Sequence, residues 1–278
     1  MVTKSVIQSD VMNSKLSVLL PVRPNSLLLR QAIVSINAQT FTNWELVVLL
    51  DRDEGSNKRL ISEIVTKNSV KFVDVDVSRD GFAGVLNRGV DLCCGDYIAR
   101  CDDDDINLVT RFDQQVKILE SDPKSVVVTG WANVVDSNGV HIREMCQPKN
   151  EQELVRALCD ENIFPHSATT FRKDTFNKCG GYKLGIDGCA DYELWMRMAL
   201  HGQLKSTCSP LISYLDNPEG MSRWIVTMKQ LKELNKTRGE LLRSLKAPFI
   251  YRVSINLKFV LRQKIGRLKH RLSLRVNP

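Results

Sequence analysis

Tyr97-Ile98-Ala99-Arg100-Cys101-Asp102-Asp103-Asp104-Asp105-Ile106 is the stretch on which the reading of this chain turns. A short apolar run, residues 96–99, leads into four consecutive carboxylates. Four like charges in a row repel one another, so such a run sits either on a solvated surface turn or around a cation. In an open α/β sheet, ligands bind beyond the carboxyl ends of the strands, where this run would lie. Its oxygen-only donors suit Mg²⁺ or Mn²⁺ rather than zinc. Taken alone, the stretch does not choose between the turn and the cation site.

The surroundings set the fold class. Residues 16–22 and 44–50 are continuous apolar runs, and 70–77 is a third strand. Between them, residues 25–38, 60–66 and 81–92 show helical patterns, the first with Leu28, Ala32, Ile33 and Ile36 on its apolar face. Near-continuously apolar strands alternating with helices predict a parallel sheet covered on both faces. Downstream, helices are predicted over 108–119, 151–158 and 191–201, and strands over 125–135, 140–145, 168–172 and 204–215. The turn signal Asp136-Ser137-Asn138-Gly139 pairs 125–135 with 140–145, so the second half is mixed. No G-x-G-x-x-G follows the first strand, which disfavours an ordinary dinucleotide site.

With 278 residues, 43% hydrophobic and 26% charged, the chain has the composition of a water-soluble globular protein with a sizeable core. No run of about 18 apolar residues predicts a membrane span. Residues 1–15 are polar without an apolar h-region, so no signal peptide is expected, and the eight cysteines read as reduced thiols of a cytoplasmic protein. Neither they nor the four histidines have zinc-ligand spacing.

Charge is unevenly distributed. Residues 222–278 carry 15 Lys and Arg against two acids, net +13, whereas residues 1–221 carry 24 bases and 30 acids, net −6. Two helices are predicted there, over 224–245 and 249–272, broken at Ala247-Pro248. In the second, Ile250, Val253, Leu257, Leu261, Ile265, Leu268 and Leu272 recur at three- and four-residue spacing. A basic amphipathic helix has three readings: it lies in an anionic membrane interface, packs back on the body, or binds nucleic acid. Few aromatics and no nucleic-acid motif place the last behind the others, and the membrane surface is the expected partner.

In order along the chain stand Leu20-Pro21, Ala38-Gln39-Thr40-Phe41, residues 45–51 ending in Asp51, Gly81, Leu86-Asn87-Arg88-Gly89, and residues 95–106 followed by Arg111 and Gln115. His166-Ser167, Gly180-Gly181-Tyr182 and Asp191-Tyr192-Glu193-Leu194-Trp195 follow. This series resembles the inverting glycosyltransferases of the A-type fold, in the family that includes bacterial polysaccharide glycosyltransferases. The resemblance spans roughly residues 16–221.

It implies a Rossmann-like, mostly parallel sheet with helices on both faces, a nucleotide-binding half over 16–105 and an acceptor half over 106–221. A polar arm, 1–15, would precede this catalytic domain and the basic helical extension, 222–278, would follow it. The implied reaction moves a single sugar from a nucleotide-diphosphate sugar, with a UDP-sugar expected, onto a hydroxyl of a glycan or polyprenyl-diphosphate-linked glycan. It would invert the anomeric centre, at the inner face of the cytoplasmic membrane, in cell-surface polysaccharide synthesis.

By the same resemblance Asp104, with Asp102, would hold Mn²⁺ or Mg²⁺ against the diphosphate. Asp102 and Asp103 would face the ribose, the sugar or the metal's waters. Asp51 would accept from the base, and Pro21, Gly81 and Asn87 would shape the nucleotide pocket. His166 would line the donor or acceptor site. Asp51 also suits a turn, Gly81 a helix entry, and His166 a structural role. Asp191 is the candidate general base, in a place where a carboxylate also suits an N-cap. The family has Glu-Asp here, and this chain has Ala190-Asp191. Glu193 is a poorer base, since i and i+2 point to different helix faces.

The Gln-x-x-Arg-Trp motif of processive members is unmatched by Gly220-Met221-Ser222-Arg223-Trp224. Two other readings share the observations: a non-catalytic nucleotide- and metal-binding member of the fold, and a nucleotidyltransferase. The second is disfavoured by the lack of a Gly-rich, Lys- or Arg-bearing phosphate loop after the first strand.

Overall fold

Among the described residues of the computed structural model, nine strands form one sheet, ordered β3-β2-β1-β4-β8-β6-β9-β5, with β7 paired to β6. The structure describes residues 15–258 except 25, 27, 217–225, 252 and 256. The first half is β1 (Leu16–Val22), α1 (Leu29–Asn37), β2 (Trp44–Asp51), α2 (Ser56–Ile64), β3 (Val70–Val75), α3 (Val77–Asp80), α4 (Phe82–Leu92) and β4 (Tyr97–Arg100). Then follow β5 (Ile106–Asn107), α5 (Arg111–Ser121), β6 (Ser125–Val135), β7 (His141–Met145), α6 (Glu151–Asp160), a 3₁₀ turn (His166–Ala168), β8 (Thr170–Arg172), α7 (Lys173–Lys178), α8 (Ala190–Met198), β9 (Gln203–Leu215) and α9 (Met228–Ser244).

Strands β1 to β4 pair in parallel. Their residues alternate between two apolar layers. Leu19, Val47, Leu49 and Ile98 face one side with α4, α6, α8 and α9. Leu16, Val18, Leu20, Leu46, Val48 and Leu50 face the other with α1, α2 and α5. This is why β1 and β2 read as unbroken apolar runs: both faces are covered. In the second half β8 runs antiparallel to β4, and β6 antiparallel to β8, giving the expected mixed sheet.

The chain builds outward from β1 to β2 to β3, then returns to lay β4 on the other side of β1. The strand order therefore reverses between the carboxyl ends of β1 and β4, and ligands bind at such switch points. Pro21 to Arg23 leave β1 there, and Cys101 to Asp105 leave β4.

Several elements differ from the sequence reading. The third strand stops at Val75, because the Asp76 side chain accepts from the Ser78 and Arg79 backbone N–H groups and starts α3. Helix α2 starts at Ser56, four residues earlier than expected, after Gly55 in the left-handed region. Helix α7 and the two-residue β5 were not expected.

The basic extension also divides differently. Thr227 and Gln230 form a capping box at the start of α9. Leu231, Leu234, Leu241 and Leu242 of that helix join the core around α6 and α8. Its Arg238 is fully buried and donates to the Tyr192 hydroxyl at 3.1 Å. Residues 228–244 thus pack on the body rather than standing apart from it. Residues 1–14 and 259–278, the polar arm and most of the second basic helix, lie outside the described residues. Among the described residues no helix is long and apolar enough to cross a membrane.

Candidate active site

The four aspartates leave β4 in alternating directions, and each has a different environment. Asp102 accepts from Arg100 Nη2 at 2.6 Å, a guanidinium that is itself buried at the end of β4. Asp103 turns inward, 2% exposed, and is held by Arg23: the backbone N–H donates at 2.8 Å, Nε at 3.0 Å and Nη2 at 2.6 Å. Asp104 accepts from the same Nη2 at 2.6 Å. Asp105 is also buried, accepting from the Leu215 backbone N–H at 3.0 Å and from the Ser167 hydroxyl.

Asp102, Asp104 and Asp105 converge, each offering a carboxylate oxygen within 4.8 Å of the others. Burial pushes the Asp104 and Asp105 carboxyls above the usual range, and the Asp102 charge adds to both shifts. Crowded, partly desolvated carboxylates of this kind gain from a hard divalent cation. The donor set therefore fits Mg²⁺ or Mn²⁺, through Asp102, Asp104 and Asp105. Asp103, held by Arg23, stands outside this converging set, and Asp105, which accepts from Leu215 and Ser167, stands within it.

Arg111 and Gln115, which follow the aspartates in sequence, are scaffold. Arg111 is fully buried on α5 and donates to the Arg100 carbonyl at 2.7 Å, to Gln115 Oε1 at 3.1 Å and to Asn107 Oδ1. Gln115 Nε2 donates to the Val128 and Ala168 carbonyls, both at 2.8 Å. Together they tie the end of β4 to β6 and to the 3₁₀ turn bearing His166 and Ser167.

His166 Nε2 lies 2.9 Å from the Tyr182 hydroxyl, and its ring packs edge-on against Tyr182 and Trp195. Burial and the nearby Arg100 charge hold its pKa well below the ordinary value, so the imidazole is neutral near pH 7. Asn87 spends its amide on Tyr182, donating to the carbonyl at 2.8 Å and accepting from the N–H at 2.7 Å. Its part in shaping a pocket is to fix Tyr182, and with it the partner of His166.

Asp191 lies in the first turn of α8, where Cys189 is the N-cap, and accepts from Asn162 Nδ2 at 2.9 Å. Burial raises its pKa, opposed by the Tyr192 backbone N–H and the Asn162 amide. Ala190 beside it is 6% exposed within the apolar core, so the position that holds Glu in the resembling family is here a core position. Glu193 is committed to Arg197, at 2.8 Å, and to the Thr237 hydroxyl of α9, also at 2.8 Å.

At the far end of the cleft, Asp51 ends β2 and accepts from the Val77 N–H at 3.1 Å, which leaves its second oxygen toward Arg52. Gly81 has φ +71°, and a Cβ there would approach Asp187 Oδ2 at 3.0 Å. Asp187 in turn accepts from the Ala83 N–H at 2.8 Å, closing the entry to α4. Pro21 is half-buried on β1, paired in register with Leu49. The sequence reading passed over Arg23 and Asn162 and left open which of Asp102–Asp105 act together. Arg23 stands two residues beyond Pro21 at a strand end, the one signal that could have marked it.

The fold defines the class: the sheet and its helices superpose on A-type glycosyltransferases. The structure of S. aureus TarS 1-349 in complex with UDP-GlcNAc matches with a TM-score of 0.68, over 88% of this chain and 71% of that one, at 14% identity. The family model for glycosyl transferase family 2 matches residues 17–180, and the chain belongs to that family. It is 31% identical over 169 residues to the O-antigen biosynthesis glycosyltransferase WbnJ of Escherichia coli, covering 60% of this chain and 65% of WbnJ. It is 24% identical over 230 residues to the E. coli UDP-Gal:alpha-D-GlcNAc-diphosphoundecaprenol beta-1,3-galactosyltransferase, covering 81% and 78% of the two chains. The protein is a glycosyltransferase.

Proposed function

We propose that this glycosyltransferase moves one sugar from a UDP-sugar to a hydroxyl of a lipid-diphosphate-linked glycan, with inversion, during cell-surface polysaccharide synthesis. The observation that carries the reading is the pairing of two opposed features: three convergent carboxylates at the switch point, and a single carboxylate, Asp191, set apart on α8 and held by Asn162. The nucleotide and acceptor classes rest on the relatives' names and on the UDP-GlcNAc complex of TarS.

A divalent ion held by Asp102, Asp104 and Asp105 would offset the charge that develops on the leaving diphosphate. Asp191 accepts the proton of the acceptor hydroxyl as its oxygen forms the new glycosidic bond. Its raised pKa makes it a better base than an exposed carboxylate. One such base beside the carboxylate cluster suits a single displacement, hence inversion. Neutral His166, fixed by Tyr182, orients a substrate hydroxyl by hydrogen bonding. Asp51 keeps one oxygen for the base, and Pro21 and Gly81 let the backbone approach the nucleotide closely.

The extension supports docking on the inner face of the cytoplasmic membrane. Ile250, Val253 and Leu257 are 82%, 49% and 58% exposed at helical spacing, among basic residues. The deciding experiment is transfer from a panel of nucleotide sugars to polyprenyl-diphosphate glycans with Mn²⁺. Turnover is expected with a UDP-sugar and lost in Asp191→Asn and Asp104→Ala. Unchanged turnover in Asp191→Asn would overturn the base assignment, and binding of UDP and Mn²⁺ without any transfer would favour the non-catalytic reading.

A further inference from the structure

Arg23 stands at the mouth of the carboxylate cluster with two different attachments. To Asp103 it is anchored by three donors, the backbone N–H at 2.8 Å, Nε at 3.0 Å and Nη2 at 2.6 Å, against a carboxylate whose side chain is 3% exposed. To Asp104 it reaches with Nη2 alone, at 2.6 Å, and that carboxylate is 17% exposed. The Arg23 side chain is itself 53% exposed, and Nη1 has no partner among the described residues. Nε and Nη2 are fixed on Asp103, and Nη2 is shared with a member of the cation set.

A divalent ion and the guanidinium compete for Asp104. Both are cations, and an ion among Asp102, Asp104 and Asp105 would repel a guanidinium bonded to one of them. Asp103 is outside the set, so its hold on Arg23 survives that competition. Released from Asp104, the outward N–H groups of an anchored, planar guanidinium face the place where a diphosphate would lie. Arginine forks bind phosphate oxygens with charge-assisted hydrogen bonds.

We propose that Arg23 is the resident counter-cation of the carboxylate cluster and, once a divalent ion takes Asp104, a positioning residue for the donor's diphosphate. Asp103 serves this role by keeping the guanidinium at the site rather than by binding metal or sugar. The inference rests on the functional reading above.

The test is isothermal titration of the full-length protein and its Arg23→Gln variant with Mn²⁺ alone, then with UDP and with uridine in saturating Mn²⁺. Removing the competitor is expected to tighten Mn²⁺ by about five- to tenfold. Losing the diphosphate contact is expected to weaken UDP by about tenfold or more and to leave uridine unchanged. Arg23→Lys, which keeps the charge but loses the fork, is expected to fall between for UDP. The opposite signs separate this role from a structural one, since a damaged site would weaken all three ligands. Unchanged or weaker Mn²⁺ binding in Arg23→Gln, or equal losses for UDP and uridine, would overturn the inference while leaving the functional reading in place. A wild-type protein that binds neither Mn²⁺ nor UDP would overturn that reading itself.

Discussion

Asn162 donates to Asp191 Oδ2 at 2.9 Å, and this bond is the one side-chain hydrogen bond acting against the burial that raises the Asp191 pKa. The bond favours the charged form. A base works deprotonated, so transfer falls as pH drops through its folded pKa. Asn162→Ala removes that opposition, leaving only the backbone N–H groups and the Arg100 charge against burial, and pushes that pKa further up. The acid limb of the kcat/KM profile is therefore expected to move to higher pH, with the plateau retained at alkaline pH. A profile that keeps its acid limb while losing amplitude throughout would show that Asn162 only supports the fold.

The three-carboxylate set predicts dependence on an added divalent ion. Stripping with EDTA is expected to abolish transfer and Mn²⁺ to restore it, while Zn²⁺ is a poor substitute at an all-oxygen site. Asp104→Ala should remove the stabilisation that Mn²⁺ gives in a thermal melt, with little change in the metal-free melting point, because the Asp104 side chain is partly exposed and bonded only to the half-exposed Arg23 among the described residues. Asp105→Ala should lower the metal-free melting point as well, since it releases the Leu215 N–H and the Ser167 hydroxyl. Equal metal response in wild type and Asp104→Ala would remove Asp104 from the ligand set.

The sequence reading reached the parallel half of the sheet and the position of the acidic run because both follow from local pattern. A strand covered on both faces must be apolar throughout, and β1 and β2 are. Which of Asp102–Asp105 converge was not legible, because it depends on Arg23, some 80 residues away, holding Asp103 apart from the other three. The same holds for Asp105, whose partners Ser167 and Leu215 come from other elements. Helix α7 was missed because Lys173–Lys178 is short, polar and lacks a side-chain N-cap. Helix α9 was read together with the residues after it as one basic extension expected at a membrane surface, because nothing local shows that Arg238 is buried against Tyr192.

Arg111 is expected to matter for stability rather than for chemistry. Its buried guanidinium satisfies the Arg100 carbonyl, Gln115 and Asn107 at once. Arg111→Met leaves those neutral acceptors unpaired in the core beneath the cluster. A loss of about 1–3 kcal/mol is expected, the range for leaving a buried acceptor unsatisfied. It is read as a lower urea midpoint at unchanged m. A midpoint within error of wild type would mean that water replaces the guanidinium at no cost.

Gly89 tests how closely α4 lies on the sheet. A Cβ there would fall 2.5 Å from Leu19 Cδ1 and 2.9 Å from Leu49 Cδ1. Both leucines are fully buried at the centre of β1 and β2, so neither has free space to move into. Gly89→Ala is expected to cost about 1–3 kcal/mol by overpacking, despite the better helix propensity of alanine. Chemical denaturation measures it, and a stabilised variant would show that α4 can lift from the sheet without penalty.

The packing of α9 decides where the membrane reading must be tested. A chain ending at residue 221 removes Leu231, Leu234, Leu241 and Leu242, all 7% exposed or less, and bares the core against α6 and α8. Each buried leucine is worth roughly 2 kcal/mol, so that truncation is expected to aggregate and says nothing about lipid. A chain ending at residue 247 keeps α9 and removes Ile250, Val253 and Leu257 together with eight Lys and Arg and no acid. With about 1 kcal/mol per basic residue near an anionic surface, full-length protein should float with phosphatidylglycerol vesicles, and the 1–247 chain should stay at the bottom of the gradient. High salt should weaken the full-length binding without abolishing it, because the apolar stripe is not screened. Equal flotation of the two chains would move the lipid contact, if there is one, onto the catalytic body.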